Sequence, residues 1–314
     1  MFKLALRCAD SECSQQCLQK LSAKASSDLK FLYACVLEAQ EKENREIAVR
    51  ALQLLLDNTE AASRSDLYVP AILRCAIRLI ILQLKHDETG AGCNADAVAQ
   101  LCRLFDGGMI HPISLLNLIV DTDLVYVWAQ RVTKGDDEWS KFGTDELDWF
   151  SRNSYNLALK CWALWDAHHT ISIVRCCLNF IGLYPSSVDN SVAEDVRLRH
   201  MICDFIMAVL LISVARSESN VETQLQDYLN IRKHVASFEK LLSSYLLDLD
   251  ERSKENLIGK LGKLLVFDFE ALVKLRAWDA IDSTIAKAAM CKSVDVFKCM
   301  ADCLLSAKPP RKGR

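Results

Sequence analysis

The chain reads as an all-α protein, an α-solenoid assembled from antiparallel helix pairs, on three observations. Its apolar residues return at helical spacing in almost every long segment and almost nowhere alternate as a half-buried strand requires. Short polar breaks fall at 57–65, 87–94, 106–111, 134–143, 184–190, 217–221 and 248–253, a length that joins antiparallel neighbours. Ten Gly and five Pro among 314 residues, with 51% hydrophobic and 25% charged, give apolar mass for an extended core and no linker to divide it. The expected organisation is one continuous stack over 1–306 and a basic disordered tail over 307–314.

Each element follows from its own residues. Val69, Ile72, Leu73, Ala76, Ile77, Ile80, Ile81 and Leu84 recur three and one residues apart and make one broad stripe, with Arg74, Arg78 and Lys85 off it. Pro112 suits the first turn of a helix continuing through Leu116, Val120, Leu124 and Trp128, since its missing N–H has no partner there anyway. Thr144 is placed to cap the next helix, with Asp145 and Glu146 complementing the positive end of its dipole. That helix is expected to run to Trp165, and its half 157–165 is apolar on nearly every face, which predicts that Leu157, Trp162, Leu164 and Trp165 are core. Ser191 and Glu194 have capping-box spacing at the head of a helix reaching about Arg216. Tyr228, Ile231, Val235, Phe238, Leu242 and Tyr245 step by three and four, and 269–289 with 294–305 reads as a further helix pair. Leu157, Cys161, Leu164, Cys177, Phe180 and Pro185 fit the small, large and proline positions of a tetratricopeptide (TPR) unit, so the architecture is a degenerate TPR-like stack. Such a stack leaves apolar residues exposed on an uncapped terminal helix, here Val294, Phe297, Ala301 and Leu304.

Composition and motifs narrow the function. A net charge of −3 lacks the basic footprint of a general DNA-binding protein, so no direct nucleic-acid contact is expected. The apolar stretches 72–84 and 201–215 are shorter than the ~20 residues a bilayer requires and contain Arg74, Arg78 and Asp204, so no membrane association is expected. Residues 1–10 lack the apolar length and cleavage site of a secretory signal, which places the fourteen cysteines in a reducing compartment. Cys8, Cys13 and Cys17 cluster, and Cys299 and Cys303 lie one turn apart, yet no CxxC knuckle occurs and no His stands at finger spacing, so no metal is expected. His168 and His169 are adjacent and would diverge by about 100° on a helix, which suits a helix start better than a ligand pair. Gly107-Gly108 lacks the Lys-Ser/Thr of a phosphate loop, and no nucleophile elbow is present. The expected role is non-enzymatic, with no cofactor.

What remains is the polar strip of the 146–165 helix. Trp149, Arg152, Asn153 and Asn156 combine an aromatic, a guanidinium and two amides, a common composition at protein interfaces, and they are the candidate partner-binding residues. Asn153 and Asn156 are also able simply to hydrogen-bond to an adjacent helix or loop, because a buried amide must find partners.

The wording of this segment, an acidic residue followed by Trp149-Phe150, Arg152-Asn153 and Tyr155-Asn156-Leu157-Ala158, resembles the fungal meiotic crossover scaffolds of the Zip-four/Spo-twenty-two type, helical-repeat proteins of the ZMM group. A weaker resemblance extends over 31–305, supported by 269–278 and by Val296, Phe297, Cys299, Met300, Ala301 and Asp302. It implies a nuclear scaffold on meiotic chromosomes that joins crossover-promoting recombination proteins to the assembling synaptonemal complex. It also implies that the chain is part of a longer parent. A general TPR-type intracellular adaptor or co-chaperone is the alternative, although no basic carboxylate clamp of Lys, Arg and Asn is evident.

Overall fold

The computed structural model describes residues 29–41, 144–162, 164–245 and 249–307, with isolated helical positions between 47 and 102. The expectations for the Pro112 helix, for Cys8, Cys13 and Cys17 and for 308–314 lie outside the described residues. Of the 69–84 stripe, Ile77 is buried and Arg78 exposed, as its period requires.

Among the described residues there is no strand, and the regular structure is all helical. In chain order the helices are α1 (Leu29–Glu41), α2 (Thr144–Cys161), α3 (Ala167–Ile181), α4 (Asn190–Ser217), α5 (Val221–Tyr245), α6 (Glu251–Leu275), α7 (Ile281–Ala289) and α8 (Val294–Ser306), with a 3-10 turn at Trp278–Ala280 before α7. They fall into two compact units, Met1–Pro185 and Ser186–Arg314.

In the first unit α2 and α3 form a hairpin. Residues paired across it approach a constant sum: Phe150 stacks on Phe180 at 5.2 Å, and the Cys177 thiol donates to the Ser151 carbonyl at 3.3 Å. This register is that of antiparallel helices. Ser151 and Ser154 are fully buried on α2, and such small side chains permit a close helix approach. Their hydroxyls remain satisfied, Ser154 donating to the Phe150 carbonyl at 2.8 Å and Ser151 meeting the Tyr184 hydroxyl at 3.2 Å.

In the second unit the same test gives an up-down-up arrangement. Gln224 reaches the Ala215 carbonyl, His234 meets Asp204, and Arg197 lies over Tyr245, so α5 runs antiparallel to α4. Arg216 pairs with Glu270 and Lys260 lies over Phe205, a constant sequence offset that makes α6 parallel to α4. The α5 stripe buries Tyr228, Ile231, Val235, Phe238 and Leu242, as its sequence spacing predicts. At 28 and 25 residues, α4 and α5 are far longer than the helices of a 34-residue TPR hairpin.

Three local expectations are corrected. Asp189 occupies the N-cap of α4, so Ser191 is already inside the helix and forms no capping box. The stretch 269–289 is two helices, because Arg276 adopts a left-handed φ of 57° and the Ala277 N–H returns to the Leu272 carbonyl at 2.9 Å, closing α6. Finally, α4 as a whole is long and apolar enough to cross a membrane by length and composition, which the shorter stretch 201–215 did not suggest. Its face toward the rest of the unit is covered, and Arg199 and Asp204 are buried along it, which is how a core helix is built.

Two glycines on α6 have opposite surroundings. A Cβ at Gly262 would stand 3.1 Å from Val296 of α8 and 3.6 Å from Cys291, whereas one at Gly259 would meet nothing. Gly259→Ala is therefore expected to stabilise the protein by about 0.5–1 kcal/mol through helix propensity. Gly262→Leu is expected to cost about 1–3 kcal/mol by forcing α8 away. Denaturant titration of the two variants measures both, and an equal response at the two sites would contradict this packing.

Candidate functional site

The segment 146–165 divides into a packed part and an exposed part, and the boundary differs from the sequence expectation. Glu146 is buried and pairs with Arg74 at 3.2 Å. Trp149 is half-buried, edge-on to Phe150 at 4.9 Å, with the Arg74 and Arg78 guanidinium groups 5.9 and 5.7 Å from its ring centroid. Asn153 is half-buried and donates its amide to the Trp149 carbonyl at 2.6 Å, within its own helix. Arg152 is exposed and bonds Asp148 one turn back at 2.5 Å, while Asn156 is exposed. The four residues therefore do not converge on one point. Trp149 and Asn153 are tied into the fold, and Arg152 and Asn156 face outward.

At the apolar end of the segment Leu157 is buried as expected, but Trp162 and Leu164 are not core. Helix α2 stops at Cys161, and the Leu164 and Trp165 N–H groups turn back to the Cys161 carbonyl at 2.9 and 2.8 Å. The reason lies one residue beyond, where Asp166 caps α3 by accepting from the His168 N–H at 2.8 Å, so the chain must turn before it. That turn carries Trp162 and Leu164 outward, 54% and 66% exposed, while Trp165 is half-buried. Leu159 is also exposed, at 42%, and it shares the α2 face of Arg152, Asn156 and Lys160 at helical spacing. The result is a surface strip that grades from guanidinium and amide to aliphatic and indole. Exposed Leu159, Trp162 and Leu164 were missed as surface residues, and the Asp166 cap was the signal that marked the turn.

His168 and His169 stand in the first turn of α3, the placement their adjacency predicts. Among the described residues no group of three His, Cys, Asp or Glu side chains is arranged around a common point for a metal. One cluster has the residue types of a nucleophilic triad, Ser237, His200 and Asp204, yet the geometry is not that of one. The Ser237 hydroxyl and the Asp204 carboxylate both approach Nε2 of His200, at 3.5 and 3.6 Å, whereas a relay needs the carboxylate on Nδ1. Asp204 is instead a tie between helices, 2.8 Å from His234 Nδ1 across the α4 and α5 interface.

Burial is the largest influence on His200 and holds its imidazole below the ordinary value of 6.5; Asp204 opposes that shift and His234 adds to it. The unfolded chain then takes up the proton first, so stability falls as pH drops below about 6.5. Thermal melts at pH about 7.5 and about 5.5 are expected to show a smaller loss in His200→Gln than in the wild type. Identical losses would contradict the burial of this imidazole.

No protein family model matches the chain, and no solved structure matches it. A curated relative does: the chain is 25% identical over 178 residues to Sporulation-specific protein 22 of Saccharomyces cerevisiae, a stretch covering 54% of this chain and 17% of that protein. The chain thus spans under a fifth of the relative it matches, and the likeness is that of a distant sporulation-protein relative.

Proposed function

We propose that the chain is a non-enzymatic interaction scaffold acting in meiosis, part of a TPR-like solenoid that joins crossover-promoting recombination proteins to the assembling synaptonemal complex on chromosomes in the nucleus. The likeness to a sporulation-specific protein supports the meiotic setting. The observation that carries the scaffold reading is the strip of Leu159, Trp162 and Leu164 beside Arg152 and Asn156. Exposed Trp and Arg are the residue types that dominate binding energy when a partner desolvates them. Leaving an indole in water sacrifices burial energy, and a partner surface recovers it. Trp149 and Asn153 serve the same site by stiffening the helix that presents it.

Immunoprecipitation of the tagged chain from meiotic cells, followed by mass spectrometry, is expected to recover crossover or synaptonemal-complex proteins. Trp162→Ser with Leu164→Ser should weaken that recovery about tenfold or more while changing stability by less than about 0.5 kcal/mol, because both side chains are already exposed. Recovery of chaperones in place of meiotic proteins would favour a general adaptor. A large loss of stability in the double variant would show the strip to be packing.

A further inference from the structure

The second unit contains a cleft of about 920 Å³ between α6, α8 and the 3-10 turn. Its floor is apolar, built from Val266, Phe267 and Val273, and Trp278 stands half-exposed at its edge. Three cations line it: Arg216, Lys274 and Arg276. The buried Glu270 carboxylate is already held by Arg216, at 3.0 Å through Nε and 2.5 Å through Nη2, which leaves the Nη1 donors of that guanidinium unused by the pair. Asp302 is the other carboxylate of the lining. Among the described residues Lys274 and Arg276 make no ion pair, and both are exposed.

We propose that this cleft binds a short acidic segment of a partner protein, one apolar side chain entering between Phe267 and Trp278 and the following carboxylates meeting Lys274, Arg276 and the outer edge of Arg216. The volume lies in the range of ligand-binding clefts, and an apolar floor with a few placed polar groups is their usual chemistry. Charge decides the class of occupant: the cations not engaged within the fold outnumber the free carboxylate, and a guanidinium suits a carboxylate bidentately. A nucleic-acid strand fits less well, because it carries a phosphate at every nucleotide, more negative charge than two unengaged cations answer.

Arg276 supplies a further, separate observation. It occupies the left-handed position that closes α6, where glycine is the relaxed choice and a side chain is strained. Of the two side-chain-bearing residues with a left-handed backbone among the described residues, Arg276 and Lys292, only Arg276 lines the cleft. The competing account is that Lys274 and Arg276 only complement the negative end of the α6 dipole. The two accounts predict opposite behaviour for Arg276→Gly, which relieves the backbone and removes the cation. This inference is independent of the meiotic assignment, since the cleft would bind such a segment whatever pathway the protein serves.

The test uses the full chain and a fluorescein-labelled twelve-residue synthetic peptide with a central Leu-Phe pair followed by Glu-Asp-Glu. Anisotropy is expected to give a Kd of about 1–100 µM that weakens with salt. Arg276→Gly, Lys274→Ala and Trp278→Ala should each weaken binding about three- to tenfold. Arg276→Gly should at the same time leave the thermal midpoint unchanged or raise it by about 1–3 °C. The peptide should also slow maleimide labelling of the exposed Cys299, which lines the cleft. Equal binding of a peptide with Lys in place of its acidic residues would overturn the proposal. So would no binding at about 1 mM peptide, variants that shift stability but not affinity, or tighter binding of a single-stranded oligonucleotide than of the peptide.

Discussion

Burying one carboxylate fixes the geometry of the second unit. Glu270 of α6 is nearly inaccessible, and a desolvated carboxylate costs several kcal/mol unless donors surround it. The donors come from two other helices, Arg216 near the end of α4 and Tyr228 in the first third of α5, whose hydroxyl lies 3.4 Å from Oε1. Burial, then the adjacent carboxylate and its hydrogen bond, push the Tyr228 phenol up to about 12, so it stays protonated and donates. These directional contacts favour one register of the three helices, which an apolar contact alone does not specify. Two residues earlier, Asp268 does the same for other neighbours, accepting from Arg232 of α5 and from Thr284 of α7, each at 3.0 Å. Alternate acidic residues on α6 therefore set the positions of α4, α5 and α7.

Exposed apolar residues lie on other faces of the helices. On α2 the packed residues Glu146, Trp149 and Phe150 hold the helix against its neighbours, while the next turns present Leu159 and Trp162 to solvent. On α8, Val296 and Met300 are buried, and Val294, Phe297, Ala301 and Leu304 are exposed, as expected for the outer face of a helix that makes contact on one side. A helical-hairpin fold permits such exposure because each pair has an inner face and an outer one.

Much of the fold was legible because long amphipathic helices write their burial into their spacing. The α5 stripe was read residue by residue, and the breaks before α4, α5 and α6 stand within a few residues of their expected places. What sequence could not show was where a helix yields to a turn. The run 157–165 is apolar apart from Lys160, and hydrophobicity alone does not distinguish a core helix from the apex of a hairpin; the Asp166 cap decides it. Arg276 likewise carries no mark of its left-handed backbone, because the usual glycine is absent. At the candidate site the sequence left Asn156 open between partner and neighbouring helix, and it did not show that Trp149 meets Arg74 and Arg78, far away in sequence.

The central physical claim is that the Glu270 and Arg216 pair couples α6 to α4. A double-mutant cycle of Glu270→Ala and Arg216→Ala, measured by denaturant unfolding, addresses it most directly. Glu270 is buried but the Arg216 side chain is more than half exposed, so solvent screens the pair, and the account predicts a coupling energy of about 0.5–1.5 kcal/mol. A coupling within about 0.3 kcal/mol of zero, the value of an ordinary solvated ion pair, would contradict it.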